Sequence, residues 1–422
     1  MRHFVYFLFA LSAAPLFINP STMRFNMIDA LIGNESSFAA WETGQSIHVL
    51  ALFAIVAVGW TAVASFPKLE INLTNEAICV LLMLFSFSVA LAVGMIRKPS
   101  ALNVIYYCQA ILPIFCFFFG AHRLVDEDMV KKGVKVLVIG VAIFIPLAFL
   151  MLLRISGLNF GNLIKDVQKL SMVLPQFRNY FPFTLALSFA FVLFVGQTYQ
   201  NRKLYWAVLL AHVAFMIINW SRTGWVMFLV VVLFRNRKPS YGVVLLGCIG
   251  TLFVLSQMSS TGEDNIFQKT LIAKRVGNVQ GRQHGDGNRL QYATEALTFI
   301  AESPLVGRMF IPERAETSGG KAFAVPKLFL PHNQFLDFGL KGGLVGLLSF
   351  TAALVFSFLR VRRYRHHATL DQQLMFQAWS AILVFAALGC LTQLYFTQAF
   401  TACVMWFLLG YFSKFGHPRM AD

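Results

Sequence analysis

From Ala77 to Ile96 the chain reads AICVLLMLFSFSVALAVGMI, twenty residues without a charge. In lipid such a run must be a helix, because a helix satisfies its own backbone N–H and C=O groups where no water is present. Comparable runs recur along the whole sequence. By apolar run length they fall at roughly 4–18, 46–65, 75–96, 101–121, 133–154, 181–198, 204–219, 223–235, 241–257, 338–359, 376–395 and 399–413. Composition agrees: 57% of the 422 residues are hydrophobic, 44 are Phe and only 13% are charged. A soluble domain carries about twice that charged share. The expected fold class is an all-α polytopic membrane protein of about 12 transmembrane helices.

The formal net charge of +16 does not point to nucleic acid. Much of it lies in short loops between apolar runs, the signature of cytoplasmic loops. Arg202-Lys203, Arg235/Arg237/Lys238, Arg360/Arg362/Arg363/Arg365 and Lys414/Arg419 mark one side, joined by Lys131, Lys132 and Lys135. Twelve spans then put both termini in the cytoplasm, with Arg97-Lys98 on the outer side as an exception. The first apolar run follows Arg2 as a signal peptide would, but further spans come at once, so it reads as a retained helix. All six cysteines fall inside apolar runs, which argues against a disulfide framework or a metal cluster.

The expected domain plan is 1–257 for spans one to nine, 258–337 for a large, partly helical extracytoplasmic loop, and 338–422 for spans ten to twelve. Within the loop, Asp264 to Arg275 can form one helix. Asn288 can cap a second, Arg289 to Glu302, stopped by Pro304. Leu290, Ala293, Leu297 and Ile300 give it an apolar stripe expected to pack on the membrane domain. Gly285 to Gly287 reads as a flexible link.

Four features on the outer side carry chemistry. His332 sits where the loop becomes a helix start, in Pro331-His332-Asn333-Gln334. The unpartnered N–H groups there carry partial positive charge, which disfavours imidazolium and suits a base. A loop histidine satisfied by a neighbouring backbone group fits the same position. Arg222 stands between two apolar runs in Trp220-Ser221-Arg222-Thr223-Gly224-Trp225. A charge at membrane depth costs about 2.5–3.5 kcal/mol, so it has a partner, a job, or a way to snorkel to the interface. The long loop carries Arg275, Arg282, Arg289, Arg308 and Arg314, against the usual bias. An anionic partner fits this series, as does a solvated face, since seven acidic residues lie between Met258 and Lys327. Arg178 lies at the outer interface in Gln176-Phe177-Arg178-Asn179-Tyr180. No Gly-rich phosphate loop followed by Lys, no Cys/His metal spacing and no Gly-x-Ser-x-Gly elbow is present. Chemistry here is expected to rest on a base and fixed cations, without metal or other cofactor.

Taken together, these residues resemble the O-antigen ligase and polymerase superfamily of bacterial envelopes, most closely the WaaL-type O-antigen ligases. Ser221-Arg222-Thr223-Gly224 is similar to that family's Ser-Arg-x-Gly element. Asn288-Arg289, then Ala296-Leu297 and Ser303-Pro304-Leu305-Val306-Gly307, resembles its arginine, helix, Pro and Gly element. His332-Asn333-x-x-Leu336 with Gly343-Leu344-x-Gly346-Leu347 resembles its His-Asn-x-x-Leu element and glycine-rich helix. There are departures: Asn288 stands where Gly is frequent, Tyr292 where Trp is frequent, and Arg308 follows Gly307 where a second Gly is frequent.

The resemblance implies a glycosyltransferase of lipopolysaccharide biosynthesis in the bacterial inner membrane, working at the periplasmic face. Its donor would be a glycan on undecaprenyl diphosphate, and its acceptor a sugar hydroxyl of the lipid A core. His332 would be the general base, and Arg222 and Arg289, joined by Arg178 and Arg308, would hold the diphosphate. The reaction would need neither metal nor ATP and would invert the anomeric carbon. The same elements occur in O-antigen polymerases and protein O-oligosaccharyltransferases. Only one outer loop is long here, and the chain ends shortly after the last apolar run, which favours the ligase. A lipid-linked glycan flippase is the alternative from another class. It would be expected to show inverted repeats and broken helices in corresponding halves, and no such symmetry is visible.

Overall fold

The computed structural model describes residues 1–14, 59–60, 73–97, 101–155, 181–196, 202–219, 222–235, 283–307, 333–391, 393–397 and 399–416. The expected span at 46–65, apart from residues 59–60, the span at 241–257 and the loop helix at Asp264 to Arg275 lie outside these residues, as do Arg178, Arg308 and His332. Every regular element among the described residues is helical: α1 (Arg2–Ala13), α2 (Asn75–Arg97), α3 (Ala101–Gly120), α4 (Glu127–Ile155), α5 (Phe181–Val195), α6 (Arg202–Asn219), α7 (Arg222–Arg235), α8 (Gln283–Glu302), α9 (Gln334–Tyr364), α10 (Leu370–Cys390) and α11 (Ala399–Ser413). A short 3-10 turn, Arg365–His367, follows α9. Among the described residues, four helices are long and apolar enough to cross a bilayer: Asn75–Arg97, Glu127–Leu150, Gln334–His367 and Leu370–Cys390.

Two helix starts fall earlier than apolar run length suggests because a polar first turn is capped, while the capped start of α2 falls at 75 as expected. The α10 span, expected from 376, begins at Leu370. Thr369 Oγ1 accepts the Gln372 N–H at 3.4 Å, and Gln372 Oε1 accepts the Thr369 N–H at 3.2 Å, a reciprocal capping box. Asp126 Oδ1 accepts the Met129 N–H at 2.7 Å and opens α4 six residues before the expected 133. Thr74 caps α2 through the Ala77 N–H at 3.2 Å.

The chain divides into two compact units: Met1–Ser65 with Asp126–Gln283 and Arg362–Ala386, and Phe66–Val125 with His284–Val361 and Ala387–Asp422. In the first unit α1 packs on α4, where Gly133 and Gly140 leave room for Phe9 and Ala13. Helix α5 packs against α4, α6 and α7. A buried hydrogen bond, Ser188 Oγ to His212 Nε2 at 2.8 Å, links α5 to α6, while His212 Nδ1 donates to the Val208 carbonyl at 2.7 Å. The start of α4 is tied to the start of α10 by Lys131 and Asp371 at 2.6 Å.

In the second unit α3 and α11 cross backbone to backbone. A Cβ on Gly120 would strike the Phe407 carbonyl, and one on Gly410 would strike the Phe117 carbonyl. Small residues at such crossings allow the close van der Waals contact that holds helices together in lipid. Charges are buried in pairs. Arg360 near the end of α9 grips Glu76 at the start of α2 with two bonds, 2.7 and 2.8 Å, and donates a third to the Phe415 carbonyl at 3.0 Å. Lys414 Nζ donates to the Val125 carbonyl just after α3. These bonds bring the start of α2 and the ends of α3, α9 and α11 to one level of the unit.

Outward faces are apolar. Ile78, Leu82 and Phe85 on α2, and Leu344, Leu348, Val355 and Leu359 on α9, are exposed at helical spacing. That is the pattern of helices solvated by lipid rather than water. The protein is a multi-pass membrane protein.

Glu76 is fully buried, so removing its partner strands a charge. Arg360→Ala is expected to cost about 3–5 kcal/mol, read as a lower melting temperature of the purified protein in detergent. Pairing Arg360→Met with Glu76→Leu should recover most of that loss; a melting temperature as low as that of the single variant would contradict the pairing.

Candidate active site

Helix α9 is not one helix. Gly342 (φ −139°, ψ 18°) and Gly343 (φ 63°, ψ −158°) leave helical geometry, dividing it into 334–341 and 344–364. The sequence expectation of a continuous span from 338 is corrected here. The physical reason is the glycine pair, since Gly343 takes a conformation essentially open to glycine alone. The break frees backbone groups, and the turn after α8 takes one of them. The Pro304 carbonyl accepts the Leu344 N–H at 2.7 Å. Gly307 (φ 73°) closes that turn, its N–H donating to the Ser303 carbonyl at 2.8 Å. The two turns interlock tightly. A Cβ on Gly307 would lie 2.5 Å from the Leu340 carbonyl oxygen, and one on Gly343 would collide with the Pro304 carbonyl and Leu305.

Helix α8 packs on 334–341 above this lock. Ala296, Ile300 and Leu340 form one buried cluster with Phe299 and Leu336 at its edge. The expected stripe is corrected in part: Ile300 is buried as expected, but Ala296 takes the inward position and Leu297 is exposed. Helix α8 ends at Glu302 as expected but begins at Gln283, not after Asn288, and runs through Gly285 and Gly287. Glycine in a helix costs only about 1 kcal/mol and keeps its N–H, so it does not force the link expected there.

The first turn of 334–341 is tied down on several sides. Asn333 Oδ1 accepts the N–H groups of Phe335 at 2.9 Å and Leu336 at 3.2 Å, an N-cap. Gln334, fully buried, reaches the turn between α10 and α11. Its Oε1 accepts the Phe396 N–H at 2.9 Å, and its Nε2 donates to Asp337 Oδ2 at 3.2 Å and Thr397 Oγ1 at 3.5 Å. Asp337 Oδ2 also takes Lys341 Nζ at 2.7 Å, an i,i+4 ion pair with both side chains buried. Below lies an aromatic cluster in which Phe338 meets Phe350 (4.5 Å) and Phe87 (5.6 Å), and Phe350 meets Phe396 (5.0 Å). Trp406 Nε1 donates to the Phe396 carbonyl at 3.1 Å.

Helices α8 and 334–341 both run toward the break. Arg289 lies two turns before Ala296 on α8, about 10 Å along the axis. Asn333, the chain neighbour of His332, is at the same end of the pair, away from the lock. Arg308 directly follows Gly307 in the chain. Arg222 opens α7 in the first unit. Sequence reasoning gave no role to Gln334, Asp337 and Lys341. The available signals were Asp and Lys four apart in an apolar stretch and a Gly-Gly pair at a helix start.

Residues 207–351 match the family model described as O-antigen ligase. The chain carries an O-antigen ligase-family domain. It runs from α6 into α9, about a third of the sequence, and holds Arg222, Arg289, Arg308, His332 and both turns of the glycine lock. Arg178 precedes it. Comparison with curated proteins gives no match. Members of this family are enzymes of the O-antigen ligase and polymerase type, acting on lipid-linked glycans.

The lock of the O-antigen ligase-family domain can be tested apart from its chemistry. Gly343→Ala is expected to cost at least about 1–3 kcal/mol from backbone strain alone, before the collision with Pro304. Its melting temperature in detergent should fall measurably; an unchanged value would mean the break does not need glycine.

Proposed function

We infer that the protein is an O-antigen ligase transferring a glycan from undecaprenyl diphosphate to a sugar hydroxyl of the lipid A core. The observation that carries this reading is the O-antigen ligase family match over 207–351, which contains four of the five candidate residues. The site would face the periplasm from the bacterial inner membrane, with both termini cytoplasmic. The loop 258–337 would lie between membrane segments 1–257 and 338–422.

In this mechanism His332 accepts the proton of the acceptor hydroxyl as its oxygen attacks the anomeric carbon. The new glycosidic C–O bond forms as the bond to the diphosphate oxygen breaks, and that electron pair leaves with the diphosphate. General-base assistance contributes about a hundred- to ten-thousand-fold. Arg222 and Arg289, joined by Arg178 and Arg308, would offset the growing charge on the leaving group. Attack opposite the diphosphate inverts the anomeric centre. The polyprenyl diphosphate leaves readily, so the step calls for neither ATP nor metal. Helix starts suit this chemistry: His332 precedes the N-cap Asn333 and Arg222 opens α7. Apolar outer faces such as that of α9 offer a surface for the isoprenoid tail.

The test uses purified protein, lipid-linked donor and lipid A-core acceptor. His332→Ala should lose about a hundredfold or more of turnover; normal transfer would remove it from the mechanism. Arg222→Ala and Arg289→Ala should each weaken donor binding roughly tenfold to a hundredfold, as expected for losing a charge-assisted bond. Unchanged binding by both would end the diphosphate-clamp assignment. Glycan appearing on the donor instead of on the lipid A core would identify a polymerase.

A further inference from the structure

We propose that Gln334 is a positioning residue for the reaction, holding the backbone that bears His332 against the turn between α10 and α11; this rests on the reading of His332 as the base. Gln334 is the first residue of 334–341, two positions after His332, and it is fully buried. Its amide bridges sequence positions 62 apart, binding the Phe396 N–H at 2.9 Å. Helix 334–341 does not need this bond to form. Asn333 already caps it, Asp337 and Lys341 brace it, and the glycine lock holds its far end. What those contacts do not supply is a tie from the first turn, at the end of a helix where fraying begins, to another element. The Gln334 crosslink acts there.

The amide's orientation follows from its partners. A backbone N–H only donates, so Phe396 faces Oε1. A carboxylate only accepts, so Asp337 faces Nε2. Asp337 Oδ2 also binds Lys341 Nζ at 2.7 Å. The buried ion pair therefore selects which way the amide points, and the amide selects where the first turn sits. A base displaced by about 1 Å can lose roughly a hundredfold in rate without losing substrate.

Two variants test this in the full-length protein. Gln334→Met keeps the volume and removes the amide; Gln334→Asn keeps the amide but shortens it by one methylene, out of reach of Phe396. Turnover is measured per donor-binding site, with donor binding read separately using the lipid-linked donor. Both variants are expected to lose about tenfold to a hundredfold in kcat, with donor KM and Kd within about twofold of the parent. The pH profile of kcat should keep its shape and drop in height, because the base is unchanged. Parent-level kcat per site in either variant overturns the proposal. So does a loss seen only in the number of donor-binding molecules, which is what a purely structural crosslink would give. His332→Ala is measured alongside. If it is inactive while the Gln334 variants are normal, only the positioning role falls; if it transfers normally, the base assignment falls and this proposal with it.

Discussion

A backbone group released inside a packed bundle has no water to turn to, and leaving it unpaired costs several kcal/mol. Helix α9 releases such groups at Gly342 and Gly343, and the second unit is organised around taking them up. The Pro304 carbonyl binds the Leu344 N–H. That single bond fixes the turn after α8 onto the break. It brings Ile300 over Gly339 and sets α8 beside 334–341. The aromatic cluster of Phe87, Phe338, Phe350 and Phe396 packs around the break and carries the turn that Gln334 holds. Lengthening or loosening any of these parts would expose the freed backbone.

Among the described residues of the second unit, buried charge is handled by pairing, and two such ion pairs do different work. Arg360 and Glu76 join the ends of three elements at one level, with both carboxylate oxygens and the Phe415 carbonyl engaged. Asp337 and Lys341 lie within a single helix, where an ion pair adds no link between elements. A buried pair is poor evidence for stability in itself, since apolar residues of the same volume often serve as well. Its contribution beside Gln334 is directional: the carboxylate can only accept, and that decides how the amide is turned. Lys132 and Asp128, exposed on the first turns of α4, offer a contrast, since solvent screens such a pair and it contributes little.

Membrane helices were legible in the sequence because lipid leaves a twenty-residue apolar run little choice but to be helical. Ten of the expected runs coincide with described helices, several to within a residue or two at one end, as with α2 and α11. Misplaced starts share one cause. Apolar counting cannot see a polar turn, and Asp126 and Thr369 each begin a helix with residues that read as loop. The pairing of the turn from Ser303 to Gly307 with the break from Gly342 to Leu344 was not legible, although both stretches stood out. Nothing local in either sequence says that a positive-φ glycine in one turn meets a positive-φ glycine in another. Asp337 and Lys341 were visible as charges four apart in an apolar stretch, but the buried amide beside them binds a backbone group 62 positions away.

Helix length explains why the break falls where it does. Unbroken, the 31 residues of α9 would extend about 46 Å, well beyond a hydrocarbon core of about 30 Å. The part from 344 to 364 extends about 31 Å, its uncharged stretch 344–359 followed by Arg360, Arg362 and Arg363 at the end that leaves the core. The surplus residues, 334–341, are those that carry Asn333 at their head and the ion pair in their middle. Had they continued straight, their polar groups would stand clear of the membrane with only neighbours on the same helix. Turned at the glycine pair, they lie against α8 and the α10–α11 turn, where each buried polar group finds a partner from another element or from the next helical turn. The break thus converts excess helix length into a braced helix start, and it is at a braced helix start that a fixed base is worth most.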